Sequence, residues 1–353
     1  MALPLRLQAL VAGFSRYEVD AVLITDETDI RYLTQYPAHD AWLLVTPRQA
    51  FYITDARYID EVKNEIVGVV PIKFEKSIFV ETVALAYKAG IKCLGVDERH
   101  LTVYQHKRLK SFYNKEISMV PVDDLVSSLR MVKDKKEIAL IREAIAINLT
   151  AYEAIQPSLK PGIREQDILD QLEVFIRKHG VKFSFDPIIA SGPNSAYPHA
   201  RVTDRKLRLN EPVLIDLGMD VKGYKSDLTR MFFLGRMPTS FRDALSIVQD
   251  AQREAFKVIR PGILAKDVDE LVRNYLGKHE LASRFTHSLG HGVGLDIHEA
   301  PTIAYSSDVV LTENMVFTVE PGVYFPGKYG IRLEEMVLVT KQGCEVLSEH
   351  YDQ

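Results

Sequence analysis

The 353-residue sequence predicts an α/β N-terminal domain followed by an α+β C-terminal domain with an internal pseudo-twofold duplication. Three observations predict this. Helical and strand-like segments alternate up to about residue 128. In the rest of the chain, a turn-and-helix segment recurs after about one hundred residues. Each copy of that segment leads into a hairpin whose strands are apolar except for carboxylates. The domains are placed at 1–128 and 129–353.

The N-terminal elements follow from periodicity and punctuation. RLQALVAGFSRYE reads as a helix, and AVLITD, WLLVTP and QAFYITD as strands. ARYIDEVKNE and FVETVALAYKAG read as helices, CLGVDE as a strand and VYQHKRLKSFY as a helix. The opening MALPLRLQALVAGF holds Arg6 and Gln8 inside its apolar stretch and lacks a small-residue cleavage site, so it reads as an amphipathic helix and not a secretory signal. VDDLVSSLRMVKDKKEI reads as a polar helical connector. His39 and Asp40 in YPAHDAW read as ordinary loop residues.

The repeat organises the C-terminal domain. LKPGIREQDILDQLEVFIRKHG begins at Leu159 and IRPGILAKDVDELVRNYLGKHE at Ile259. Pro161, Gly162, Ile163, Asp167, Lys178 and His179 recur as Pro261, Gly262, Ile263, Asp267, Lys278 and His279. An amphipathic helix precedes each copy. In the second, Phe241, Ala244, Leu245, Val248, Ala251, Ala255 and Ile259 follow helical spacing. Two similar halves related by a pseudo-twofold axis are expected, with His199 and His298 at nearly equivalent places.

Four carboxylates and a histidine stand out in these halves: Asp216 in VLIDLGMD, Asp227 in YKSDLTR, His291 in SLGHGVG, Glu320 in FTVEPG and Glu334 in IRLEEM. A turn at Val221 and Lys222 places Asp216 directly opposite Asp227, and a turn centred on Gly327 places Glu320 opposite Glu334. Opposed like charges on one face are destabilising. At roughly 5 Å and an effective dielectric of about 20, each pair repels by about 3 kcal/mol. Any one of these acids alone would read as a solvent-facing strand residue, and Glu335 must point away from Glu334. Two pairs together call for cations, because burying unpaired carboxylates is very costly. Two divalent ions would neutralise four carboxylates, and oxygen ligands with one imidazole suit manganese, cobalt, iron or zinc. Two ions bridged by carboxylates and a hydroxide form a hydrolytic centre.

The other histidines divide into two groups. His279 and His350 read as ordinary residues. His199, in SGPNSAYPHA, lies in a loop, and His287 and His298 flank the Gly-rich segment around His291. Imidazoles near a hydrolytic centre could bind a carbonyl, stabilise an oxyanion or move a leaving-group proton. Arg332 shares a strand face with Glu334 and could pair with a ligand carboxylate or grip a substrate carboxylate.

Composition narrows the class. Net charge is −4, and no basic block marks a nucleic-acid or anionic-membrane surface. No stretch is long and apolar enough to span a bilayer. The two cysteines, Cys93 and Cys344, are far apart and show no metal-type spacing, which favours a cytoplasmic location.

The motifs IIASGPNSAYPHA, LIDLG, SDLTR, HSLGHGVGLDIHEAP, TVEPGVY and GIRLEEMVLVT, in this order, resemble the pita-bread metallopeptidase family, and within it aminopeptidase P and prolidase. DAVLITDETDIRYLTQY is similar to the creatinase-like domain of the same family. The resemblance implies an α/β N-terminal creatinase-like domain plus an α+β C-terminal pita-bread domain with internal pseudo-twofold duplication. It implies two divalent ions per subunit, manganese first, held by Asp216, Asp227, His291, Glu320 and Glu334, with Asp227 and Glu334 bridging. It further implies a metal-bridging hydroxide that attacks the peptide bond between an N-terminal residue and a following proline, with Glu320 as proton acceptor. His298 would stabilise the tetrahedral intermediate, His199 would contact the leaving nitrogen, and His287 and Arg332 would line the side receiving proline. The implied partners are short proline-containing peptides and a second copy in a homodimer. Glu335 stands where many relatives carry Asp. The competing readings are a metallo-aminopeptidase of different specificity, a metal-free C–N hydrolase, and a catalytically silent module that binds peptides or proteins. Five intact ligands argue against the last two.

Overall fold

The computed structural model describes residues 3–113 and 116–348; His350 lies outside them. The chain divides into two compact units, Met1–Arg130 and Met131–Gln353.

The first unit is built on six strands: β1 (Ala21–Ile24), β2 (Trp42–Val45), β3 (Ala50–Thr54), β4 (Val70–Lys73), β5 (Cys93–Val96) and β6 (Ser118–Pro121). Their order is β4-β3-β2-β1-β5-β6. The helices are α1 (Leu5–Ala12), α2 (Phe14–Tyr17), α3 (Glu27–Thr34), α4 (Ile59–Glu65), α5 (Ile78–Lys88), α6 (Val103–Phe112) and α7 (Leu125–Met131). The β2 strand runs antiparallel to β1 and β3, whereas β3/β4, β1/β5 and β5/β6 are parallel. Parallel pairs need crossovers, which α4 and α6 supply for β3/β4 and β5/β6.

Several local features depart from the sequence expectation. The expected first helix breaks at Gly13, where a Cβ would meet Leu125 Cδ1 at 2.3 Å. ETDIRYLT forms α3 because the Asp26 side chain caps it by accepting from the Asp29 N–H. Two further strands, VPIK and SMVP, lie at the two edges of the sheet and each carries a proline, which masks a strand signal but is tolerated at an edge.

The second unit contains α8 (Lys135–Ile155), α9 (Glu165–His179), α10 (Thr239–Val258) and α11 (Ala265–Lys278). An Asp134/Glu137 capping box starts α8, so the expected continuous connector is interrupted between Met131 and Asp134. Its strands are β7 (Lys182–Phe183), β8 (Ile188–Ser191), β9 (Glu211–Leu217), β10 (Met219–Val221), β11 (Tyr224–Lys225), β12 (Leu228–Leu234), β13 (Gly290–Gly292), β14 (Glu299–Ile303), β15 (Val316–Val319), β16 (Gly322–Phe325), β17 (Tyr329–Arg332), β18 (Glu335–Val339) and β19 (Cys344–Val346). They form antiparallel sheets in the orders β12-β9-β8, β11-β10-β7, β14-β13-β15-β18-β19 and β16-β17.

The duplication is visible bond by bond. The Gly162 N–H donates to Leu207 O and the Gly262 N–H to Leu311 O, both at 2.9 Å. In return the Leu207 N–H donates to Ile163 O and the Leu311 N–H to Ile263 O, both at 2.8 Å. The apolar face of α10 that the sequence predicts is buried in the unit's core: Phe241, Ala244, Val248, Ala251, Ala255 and Ile259 all belong to it, with Leu245 at its margin.

Candidate metal centre

Two hairpins carry the acids, and each one changes sheet midway. In the first, β9 pairs with β12 so that Asp216 faces Thr229, and β10 pairs with β11 so that Asp220 faces Lys225. The turn residues are Lys222 and Gly223, at φ 52° and 92°. The expected direct opposition of Asp216 and Asp227 is therefore corrected. A two-residue type I′ turn needs two left-handed residues, and Gly223 accepts the second place readily, which moves the tip by one residue and the register by two. Asp227 lies two residues before Thr229, so it is a diagonal neighbour of Asp216. In the second hairpin Val319 faces Glu335 and Gly322 faces Arg332. One register runs through both sheets, and Glu320 stands opposite Glu334 between them, as the turn at Gly327 predicts.

The duplication relates these positions. Asp216 and Glu320 lie equally far beyond the matched residues Leu207 and Leu311. Following the pairings across, Thr229 corresponds to Glu334 and Asp227 to Arg332. The halves have thus kept one acid in common and diverged on the second strand, and the diverged residues touch. Thr229 Oγ1 donates to Glu334 Oε2 at 2.7 Å and accepts from Arg332 Nε at 3.1 Å. Arg332 Nη2 reaches Asp216 Oδ2 at 2.5 Å, and Nη1 donates to Pro198 O and the Tyr324 hydroxyl. Arg332 is 3% exposed, with every guanidinium nitrogen engaged, and it pairs with the Asp216 carboxylate. Arg332→Met is expected to destabilise the fold by about 3–5 kcal/mol, since it strands a buried carboxylate. Urea unfolding measures this, and a change below about 1 kcal/mol would mean that the pair contributes little.

His291 is presented by a segment that admits only glycine on either side. A Cβ on Gly290 would lie 1.9 Å from Thr318 O, and one on Gly292 would lie 2.3 Å from Ala300 O. Nδ1 of His291 lies 3.1 Å from Gly292 O, a pure acceptor, so Nδ1 carries the proton. The Nε2 lone pair then points at carboxylates, 3.5 Å from Asp227 Oδ2 and 3.4 Å from Glu320 Oε1. Asp227, His291 and Glu334 each offer a ligand atom, all within 4.8 Å of one another.

The electrostatics share a cause. Burial and the neighbouring Glu334, Asp216 and Glu320 push the Asp227 carboxyl well above its ordinary range. Burial, Glu320 and Asp216 do the same to Glu334. Glu320 is pushed up to about 8, chiefly by burial. Burial lowers His291 and His287 to about 4 and also lowers His298. Asp216 Oδ1 is buried without a hydrogen-bond partner. Carboxylates facing a lone pair, together with an orphaned buried oxygen, are a donor set that a hard or borderline divalent cation fits.

The surrounding histidines are held from outside the centre. Buried Glu165 at the start of α9 accepts from the Ser191 N–H and hydroxyl, Asn194 Nδ2, and the Thr203 N–H and hydroxyl, which ties down the loop carrying His199. Asp269 in α11 accepts from the Leu289 N–H and from Arg273, whose Nη2 also donates to His287 O. The His298 ring lies 4.2 Å from that of His291. All nine residues singled out from the sequence, namely His199, Asp216, Asp227, His287, His291, His298, Glu320, Arg332 and Glu334, line one cavity of about 1000 Å³, with Phe183 and Phe185 on its wall. Sequence reasoning missed Thr229, Tyr324 and Glu165. The first two sit inside the motifs SDLTR and EPGVY but carry no charge to flag them. A second cluster, Asp29, Asp97 and His100, lies in the first unit, where Arg130 already pairs with Asp29 at 2.8 Å.

A duplicated α+β fold that gathers four carboxylates and a neutral imidazole on one cavity defines a metallohydrolase. Residues 139–341 match the model of Metallopeptidase family M24, and residues 6–132 match that of the Creatinase/Prolidase N-terminal domain. The chain belongs to metallopeptidase family M24, with a creatinase-type N-terminal domain and a pita-bread C-terminal domain. It is 33% identical to an Xaa-Pro dipeptidase of Pyrococcus horikoshii, covering 98% of this chain and 97% of the relative. Among solved structures, an Xaa-Pro dipeptidase from Bacillus anthracis superposes with TM-score 0.95 at 33% identity, covering 99% and 98% of the two chains. An X-Pro aminopeptidase from Thermotoga maritima does so with TM-score 0.88 at 32% identity, covering 97% and 99%. No helix among the described residues is long and apolar enough to cross a membrane.

Proposed function

We propose that the chain hydrolyses the peptide bond between an N-terminal residue and a following proline. The observation that carries the reading is the His291 Nε2 lone pair directed at Asp227 and Glu320, an arrangement that a bound cation makes favourable. Asp216, Asp227, His291, Glu320 and Glu334 would hold two divalent ions, manganese in the first instance. When bound, the ions supply an activated water and polarise the scissile carbonyl.

The remaining work falls to the chain's own residues. Glu320 takes the proton of the attacking water at its carboxylate. His298 is neutral at pH 7, because burial lowers its basicity, and its N–H donates to the developing oxyanion. His199 contacts the leaving nitrogen. His287 is neutral too: Nδ1–H donates to Ser288 O, so Nε2 accepts from the Tyr324 hydroxyl. It and Arg332 thus form a fixed wall on the side that receives proline. A proline amide carries no N–H, so its recognition rests on such a shaped wall and not on a hydrogen-bond acceptor. The two free cysteines suit a reducing compartment, in keeping with work in the cytoplasm.

Ala-Pro and Ala-Pro-Ala, incubated with the manganese-loaded protein, test the reading. Cleavage at the Xaa–Pro bond is expected. Turnover of the dipeptide alone marks a dipeptidase and turnover of the tripeptide an aminopeptidase. A protein that binds two ions yet cleaves neither would be a binding module, and the proposal would fall.

A further inference from the structure

We infer that Tyr152 and Gln252 are equivalent positioning residues, one in each half of the duplicated domain, that hold the two metal-ligand hairpins in register. Tyr152 is in α8 and Gln252 in α10, at matching places ahead of Pro161 and Pro261. The Tyr152 hydroxyl lies 3.0 Å from Ile215 O and 2.6 Å from Leu228 O. Gln252 Nε2 donates to Val319 O at 2.8 Å and to Leu333 O at 3.0 Å.

These four carbonyls correspond under the duplication, Ile215 with Val319 and Leu228 with Leu333. Each belongs to a residue adjoining a proposed ligand: Ile215 precedes Asp216, Leu228 follows Asp227, Val319 precedes Glu320 and Leu333 precedes Glu334. In each half a single helix side chain therefore spans both strands of a hairpin, close to where the hairpin changes sheet. Different chemistry, a phenol in one half and an amide in the other, has arrived at the same pair of acceptors. A role confined to one hairpin would not account for that match.

Both side chains are buried, with Tyr152 fully enclosed, so water does not replace them. Neither lines the cavity, so they act through the strands and not on substrate. Strand ends that carry mutually repelling acids need outside support to hold their spacing, and such supporting contacts tune metal affinity.

The inference rests on the two-ion reading, and the test separates the two. Full-length wild type, Tyr152→Phe and Gln252→Leu are dialysed against graded Mn²⁺, and bound metal is counted by atomic emission. Circular dichroism of the chelated proteins checks the fold. Wild type is expected to bind two ions per chain, and each variant is expected to keep the fold while its dissociation constant rises about tenfold or more. Wild type that binds no metal would overturn the two-ion reading and this inference together. Wild type that binds two ions while both variants bind with unchanged affinity would overturn the inference alone and leave the bonds as ordinary contacts of the fold. Should Gln252→Leu not fold, Gln252→Met, which also fills the space without donating, is judged by the same dissociation constant.

Discussion

Asp227→Ala is expected to abolish peptidase activity, lowering kcat/KM by more than about 10³-fold, and to purify with its metal content sharply reduced. Asp227 is 5% exposed, and its carboxylate lies 3.5 Å from the imidazole of His291, with a ligand oxygen within 4.8 Å of one on Glu334. Its own basicity is raised by burial and then by three neighbouring carboxylates. Glu334, set beside Asp227, Glu320 and Asp216, is as crowded, and crowding of this kind is what a bound divalent cation relieves. The same crowding predicts a second, opposite effect. Without ions the carboxylate is a liability, so chelated Asp227→Ala should unfold at a temperature no lower than chelated wild type. Only wild type should then gain stability when manganese is added. Metal analysis, peptide turnover and thermal melts with and without chelator read all three effects. Full turnover by a variant that still carries two ions would remove Asp227 from the centre.

Chelated wild type is expected to lose stability as pH rises from 6.5 to 8, by about 2 kcal/mol for each carboxyl that is protonated in the fold and ionised in the unfolded chain. The sign follows from the direction of the shifts. Glu320 is raised from 4.5 to about 8 by burial, and Asp227 and Glu334 move the same way. A raised carboxyl stabilises the fold fully below its unfolded pKa, and that contribution is lost as pH climbs through the folded value. Over the same window the unfolded chain has already released its protons, so the slope is negative. The lowered histidines, His291 and His287 at about 4, act in the opposite sense because the unfolded imidazoles are half protonated at pH 6.5, but at about 0.4 kcal/mol each across the window they offset only part of the carboxyl effect. Bound ions neutralise the acids and should abolish the decline. Urea unfolding at pH 6.5, 7.2 and 8, with manganese or with chelator, measures the difference. A chelated protein that gains stability across this window would contradict the crowding of acids on which the metal centre rests.

Much of the centre was legible without coordinates because charge in an apolar strand is a conspicuous signal. Asp216, Asp227, Glu320 and Glu334 each interrupt a buried run, and the cost of burying an unpaired carboxylate turns that interruption into an argument. Neutral partners give no such signal. Thr229, which joins Glu334 to Arg332, and Tyr324, which joins Arg332 to His287, look like ordinary strand residues until their hydroxyls are located. In the first unit, strands β4 and β6 went unrecognised for a related reason: each carries a proline and is only partly buried, so neither alternation nor a long apolar run marks it.

Register shows where local information ends. The second hairpin follows its sequence pattern because one pairing continues on both sides of Glu320 and Glu334. The first departs from it because Lys222 and Gly223, and not Val221 and Lys222, form the tip. A shift of one residue at a turn moves every cross-strand partner by two, so that Thr229 and not Asp227 faces Asp216. Residue identity and repeat were set in the chain itself: which acids occur, that they come in two matched halves, and that glycine brackets His291. The distances between halves, the capture of Arg332 by Asp216 and the placing of Tyr152 and Gln252 on paired carbonyls were decided only in three dimensions. Those contacts join residues remote in sequence, and their directions depend on turn geometry and packing, which spacing along a chain does not encode.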